Sequence, residues 1–150
     1  MSFHKAEAIV LLVDDDENFP LLFAGEKFPF AFRFVFNGEQ AIHYLSGKGK
    51  YADRVQYPFP DLLLLDLNMP RIDGFEFLGW KGRHPKLHSL PVVVWSSSEL
   101  LQDKEKAMSL GACAFVSKPA EFDKLVEIVR GLESYCRGLG PDNPFGPHSH

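Results

Sequence analysis

Three apolar runs constrain the fold of this chain more than any other feature. "AIVLLV" (8–13), "DLLLLD" (61–66) and "PVVVW" (91–95) carry continuous rather than alternating hydrophobic residues. A strand with one wet face alternates apolar and polar side chains, whereas a strand covered on both faces has no need to. The runs are far too short to cross a bilayer, so they predict buried strands and no membrane partner. One of them raises a problem: "PDLLLLDLNMPRIDG" (60–74) leads from four leucines straight into Asp66. An aspartate is among the last residues expected to follow leucines into an interior.

The rest of the pattern alternates with these runs. "FAFRFVF" (30–36) and "CAFV" (113–116) predict two further strands, which makes five. Between and after them lie helical candidates. The stretch 17–27 is weak, with Pro20 tolerable in a first turn and Gly25 against it. "NGEQAIHYL" opens a helix with Asn37 as N-cap and Gln40 three residues on, as in a capping box. "GFEFLGWKGR" (74–83) is diluted by Gly79 and Gly82, and "SELLQDKEKAMSLG" (98–111) stops at Gly111. In "AEFDKLVEIVRGLESYC" (120–136), Phe122, Leu125, Val126, Val129 and Leu132 share one stripe. Residues 46–60 show no period and predict a long surface loop, either functional or mobile. Strand and helix alternating five times argue for an α/β parallel sheet with helices on both faces.

The chain has 150 residues, one domain's worth, with 45% hydrophobic and 24% charged residues. A net charge of -4 gives no reason to expect a nucleic-acid partner. "MSFHKAEA" lacks a signal-peptide core, and Cys113 and Cys136 match no metal or redox spacing. A reducing, cytoplasmic location is therefore expected. One domain is expected over 7–137, and the Gly/Pro-rich residues 138–150 read as a flexible tail.

In open parallel sheets, sites form outside the carboxyl ends of the strands. Asp14, Asp15 and Asp16 follow the first strand and Asp66 ends the third. Ser96, Ser97 and Ser98 follow the fourth, and Ser117, Lys118 and Pro119 the fifth. Singly, these are ordinary: an aspartate there is usually a cap or turn former, serines cap helices, and a lysine is a solvated charge. Together they are not, because clustered carboxylates repel unless a cation joins them. Oxygen ligands of this kind suit Mg²⁺, which takes one or two carboxylates and keeps several waters.

The blocks "VDDDEN", "LLLLDLNMPRIDG", "VVVWSSS" and "FVSKP" resemble the signature blocks of the response-regulator receiver domain, in the same order and at the same strand ends. Ser96 lies 30 residues after Asp66 and Lys118 lies 52 after it, which is the family's spacing. The resemblance covers roughly residues 7 to 136. It implies a flavodoxin-like, doubly wound, five-stranded parallel sheet of order 2-1-3-4-5 with five helices. Asp66 is then the phosphoacceptor for a histidine kinase or phosphotransfer protein. Asp15 binds Mg²⁺ directly, Asp14 binds it through a water, and Asn68 offers its backbone carbonyl. Ser96, with Ser97 beside it, and Lys118 meet the phosphoryl oxygens. Phe115 matches the aromatic switch position, and the peptide before Pro119 is expected to be cis. The face of helix four, strand five and helix five is the family's usual partner and homodimer surface.

Several positions depart from the pattern. Ser96 stands where threonine is commoner, and Phe115 replaces a tyrosine and so loses a phenolic hydrogen bond. Trp95 is bulky for the end of a buried strand; packing is the favoured reading and a surface anchor the other. The 46–60 insert and "LGWKGRHPKL" resemble stand-alone regulators similar to the partners of bacterial phytochrome kinases, which carry no output domain. The expected function is a phosphorelay switch, not an enzyme beyond its own phosphorylation and dephosphorylation. Two rivals stay open: a receiver-like module that binds a partner constitutively, and a Mg²⁺-dependent phosphohydrolase. The hydrolase would need a second acid beside Asp66, for which Asp16 and Asn68 are the nearest candidates.

Overall fold

A computed structural model describes residues 7–69 and 71–132. Five parallel strands lie in the order β2-β1-β3-β4-β5. They are β1 (Ile9–Val13), β2 (Ala31–Val35), β3 (Leu62–Asp66), β4 (Val92–Ser96) and β5 (Ala114–Ser117). Among the described residues, five α-helices alternate with them: α1 (Phe19–Ala24), α2 (Gly38–Ser46), α3 (Gly74–Gly82), α4 (Leu101–Ser109) and α5 (Phe122–Gly131). This is the doubly wound flavodoxin-like topology expected. The C-terminal tail lies outside the described residues. Among those described, no helix is long and apolar enough to cross a membrane.

The continuous runs are explained by burial on both faces. Every residue of β3 and β4 is buried. Alternation then sorts their side chains into two cores. Leu63, Leu65, Val92 and Val94 pack with α2, α3 and α4, while Leu62, Leu64, Val93 and Trp95 pack with α1 and α5. The stripe read on the last helix behaves as expected, with Leu125, Val126, Val129 and Leu132 all buried. Trp95 is fully buried, so its role is packing rather than surface anchoring.

Helix ends differ from expectation for local reasons. The first helix is only six residues long, because Gly25 closes it against the carbonyl of Phe23. Phe28, Phe30, Phe32 and Phe34 then cover that part of the sheet, with Phe23 among them. In α2, Asn37 Oδ1 accepts the Gln40 amide at 2.8 Å, but Gln40 Oε1 returns to the Phe36 amide instead of the cap's own. The reciprocal capping box is at α3, between Asp73 and Glu76. The fourth helix begins at Leu101, not Ser98, because the Ser98 hydroxyl turns to Asp103 at 2.6 Å and accepts the Leu100 amide.

The 46–60 segment is a structured feature rather than a loose loop. A 3-10 turn spans Gly49–Ala52, and the Arg54 guanidinium donates to the carbonyls of Tyr44, Leu45 and Tyr57. Tyr44, Tyr51 and Tyr57 pack as a ring cluster beneath it. Arginine's rigid fork suits several carbonyls at once, which is why one side chain organises so much backbone.

Candidate functional site

Three even-numbered positions build the site. Strand β1 carries Val10 and Leu12 toward the α1/α5 core, and the ladder runs one residue further because the Asp14 amide donates to Val35 O. Asp14 therefore falls on the same side. Asp66 continues the series of Leu62 and Leu64, and Lys118 that of Ala114 and Val116, its amide bonded to Ser96 O. Parallel strands thus deliver two acids and an amine to one rim.

The amine closes the gap between the acids. Lys118 Nζ lies 2.6 Å from Asp14 Oδ2 and 3.7 Å from Asp66 Oδ2. Asp15, exposed at the mouth, completes a trio whose carboxylate oxygens lie within 4.8 Å of one another. Burial is the main influence on both inner acids. It raises the Asp14 carboxyl above its usual range despite the bond from Lys118. It lifts Asp66 to about 6, with the Asp14 charge adding to the effect. Two buried acids that resist ionising together form a seat for a further positive charge. All the donors are hard carboxylate oxygens, which fit a divalent metal of the magnesium or manganese kind.

Glycine lets the chain pass so close to this rim. A Cβ on Gly74 would stand 2.6 Å from Leu67 Cα and 2.9 Å from Asp66 O. The start of α3 therefore presses directly on the residues that follow Asp66. Within that loop the Asn68 amide donates to Asp66 Oδ1 at 3.3 Å, while the Asn68 side chain is exposed.

The remaining positions are spread around the acids. Ser96 is fully buried at the end of β4, its Oγ accepting the Ser98 amide at 3.0 Å. Ser97 is exposed. Phe115 is half-buried against the α2/α3/α4 core, on the opposite side of the sheet from Lys118. Asp16 is turned to the Asn18 amide, and so stands as a turn former. The peptide before Pro119 is trans, which corrects the expected cis bond: the described residues contain no cis peptide. Trans is the favoured state of any X–Pro bond, by about 0.5–1 kcal/mol, unless tertiary contacts impose the other.

Two contacts escaped the reading of the sequence. The Lys118 ammonium faces the rings of Trp95 and Phe19, at 5.2 Å and 5.5 Å from their centroids. Trp95 stood out by its bulk, whereas nothing in "ENFP" marks Phe19 as a neighbour of a residue 99 positions away.

Comparison with known proteins finds relatives over most of the chain. The chain is 33% identical over 99 residues to response regulator Rcp1 of Synechocystis, covering 66% of this chain and 65% of that protein. It superposes on the phosphorylated cyanobacterial phytochrome response regulator RcpA with a TM-score of 0.77. There the identity is 32%, over 90% of this chain and 97% of the other. The Mn²⁺-bound form of Rcp1 gives a TM-score of 0.72 at 29% identity, covering 85% of this chain and 93% of that one. The response regulator receiver domain family matches residues 10–130, a span that takes in β2 to β5 whole, β1 from Val10 onward, and every acid at the rim. With fold, strand-end chemistry and family match in agreement, the chain belongs to the response-regulator receiver domain family of two-component signalling.

Proposed function

We propose that this receiver domain accepts a phosphoryl group on Asp66 and thereby changes its partner-binding surface. The observation that carries the proposal is the convergence of Asp14, Asp15, Asp66 and Lys118 within a few ångströms at one rim of the sheet. The donor is the phosphohistidine of a sensor kinase, phytochrome-like by analogy with RcpA, or of a phosphotransfer protein. An Asp66 carboxylate oxygen forms the new O–P bond as the donor's N–P bond breaks and its electron pair returns to the imidazole. Asp15, Asp66 and the Asn68 carbonyl, with Asp14 through a water, would hold Mg²⁺, which would supply positive charge against the phosphoryl oxygens. Lys118 leaves Asp14 to pair with one of those oxygens, and the Ser96 hydroxyl, next to Ser97, bonds another.

The Ser96 hydroxyl donates to that oxygen while its lone pair still accepts the Ser98 amide, so a shift of Ser96 toward the phosphoryl group draws the β4–α4 connection with it. Phe115 lies on the same side of the sheet as α4 and follows that change. The surface that responds is α4, β5 and α5, where Leu100, Leu101 and Met108 are already exposed. It serves a downstream partner or a second copy of the chain. The setting is cytoplasmic, and no nucleic acid or membrane is involved.

Incubation with Mg²⁺ and acetyl phosphate tests the reading by intact mass. A gain of one phosphoryl group, absent in Asp66→Asn, is the expected result. No gain in the parent protein, together with no response to beryllofluoride, would sink it in favour of a constitutive binder. Steady release of phosphate from unrelated monoesters would show a hydrolase instead.

A further inference from the structure

Lys118 is held from more sides than an ion pair requires. Its ammonium lies 2.6 Å from Asp14 and 3.7 Å from Asp66, and within 5.2 Å and 5.5 Å of the ring centroids of Trp95 and Phe19. The two rings touch each other, with centroids 5.5 Å apart and planes inclined by 37°. Trp95 is fully buried, and its Nε1 is the one buried side-chain polar atom among the described residues without a hydrogen-bond partner. An orphaned buried donor carries a desolvation cost that leucine or phenylalanine at this position would avoid. What an indole offers in return is the most attractive ring face for a cation.

That face suits a lysine whose ionic partner has to change. A lysine is a point charge on a flexible stem, and two carboxylates alone do little to fix its direction. Aromatic faces attract the ammonium without neutralising it, and they leave its three N–H groups free for anions.

We propose that Trp95 and Phe19 form an aromatic seat that aims the Lys118 ammonium at Asp66, making Trp95 a positioning residue for phosphoryl acceptance. The inference rests on the role given to Lys118 above and adds the residues that hold it ready. It also makes Trp95 a reporter: when Lys118 moves from Asp14 to a phosphoryl oxygen, a unit charge shifts across the indole face.

The test uses the full chain carrying Trp80→Phe, which leaves Trp95 as its single tryptophan. In the resting protein, Lys118→Met is expected to shift the emission maximum of Trp95. An unmoved spectrum overturns the seat, whether or not phosphate is ever accepted. With Mg²⁺ and acetyl phosphate, Trp95→Leu is expected to slow the mass gain roughly tenfold, and Trp95→Phe, which keeps a ring, by less than about threefold. Placed on Lys118→Met, Trp95→Leu is expected to cost nothing further, because the seat acts only through the lysine. Equal rates for the Leu and Phe variants, or the full loss without Lys118, overturn the positioning role. Should Trp95→Leu fail to melt cooperatively, the emission comparison decides. A parent protein that gains no mass removes the acceptance role, while the resting emission still decides whether the seat exists.

Discussion

A carboxyl that is only 5% exposed, with a second buried acid beside it, resists losing its proton. Asp66 ionises at about 6 in the folded, metal-free protein against 3.8 for the free side chain. A raised carboxyl value means that ionisation opposes folding. The penalty is absent below about pH 3.8, grows between there and about 6, and is complete above. It amounts to about 3 kcal/mol at full size. In chelator, Asp66→Asn is therefore expected to be more stable than the parent near pH 7.5, with the advantage shrinking near pH 4.5. Urea melts of both proteins at the two pH values measure it, and a constant gap would contradict the isolation of this carboxyl. Added Mg²⁺ is expected to raise the parent's midpoint more than the variant's. The acids and Lys118 were legible because each stands at the end of an apolar run, where counting by two assigns its side. Phe19 was not, since its contact with Lys118 depends on how a six-residue helix lies against the sheet.

Short connecting elements do much of the positioning. Gly74 lets α3 begin against the backbone that follows Asp66, so Gly74→Ala is expected to destabilise the fold by roughly 1–3 kcal/mol through overpacking. The same change should slow phosphoryl acceptance on Asp66; normal stability and rate together would show that the loop yields freely. At the opposite end of the sheet, Arg54 ties three carbonyls and stands over the Tyr44 ring at 5.8 Å. Arg54→Ala should speed hydrogen exchange of residues 48–58 while leaving metal binding at the acids unchanged. Lost protection at both places would mean that the segment supports the site itself. No periodic signal predicts this segment's order, because an arginine that satisfies backbone carbonyls leaves no spacing to read. The strands were legible for the opposite reason, since burial on both faces writes itself into consecutive residues. Helix starts shifted by a few positions wherever side chains such as Ser98 found partners other than the expected amide.

At the scale of the molecule, one sheet separates two cores that share no side chains among the described residues. Trp95 and Phe19 belong to the layer with α1 and α5, the side to which alternation also turns Asp14, Asp66 and Lys118, whereas Phe115 belongs to the layer with α2, α3 and α4. Ser96 follows Trp95 directly, so alternation turns adjacent residues to opposite layers. A partner that docks on α4 therefore has no direct view of Asp66, because a wall of hydrogen-bonded backbone stands between them. News of the chemistry reaches it only where the wall ends, over the rim that β4 and β5 share. Substitutions in the middle of the sheet should consequently alter stability with little effect on signalling. Substitutions at Ser96 should do the reverse, leaving a sound fold that has lost its voice.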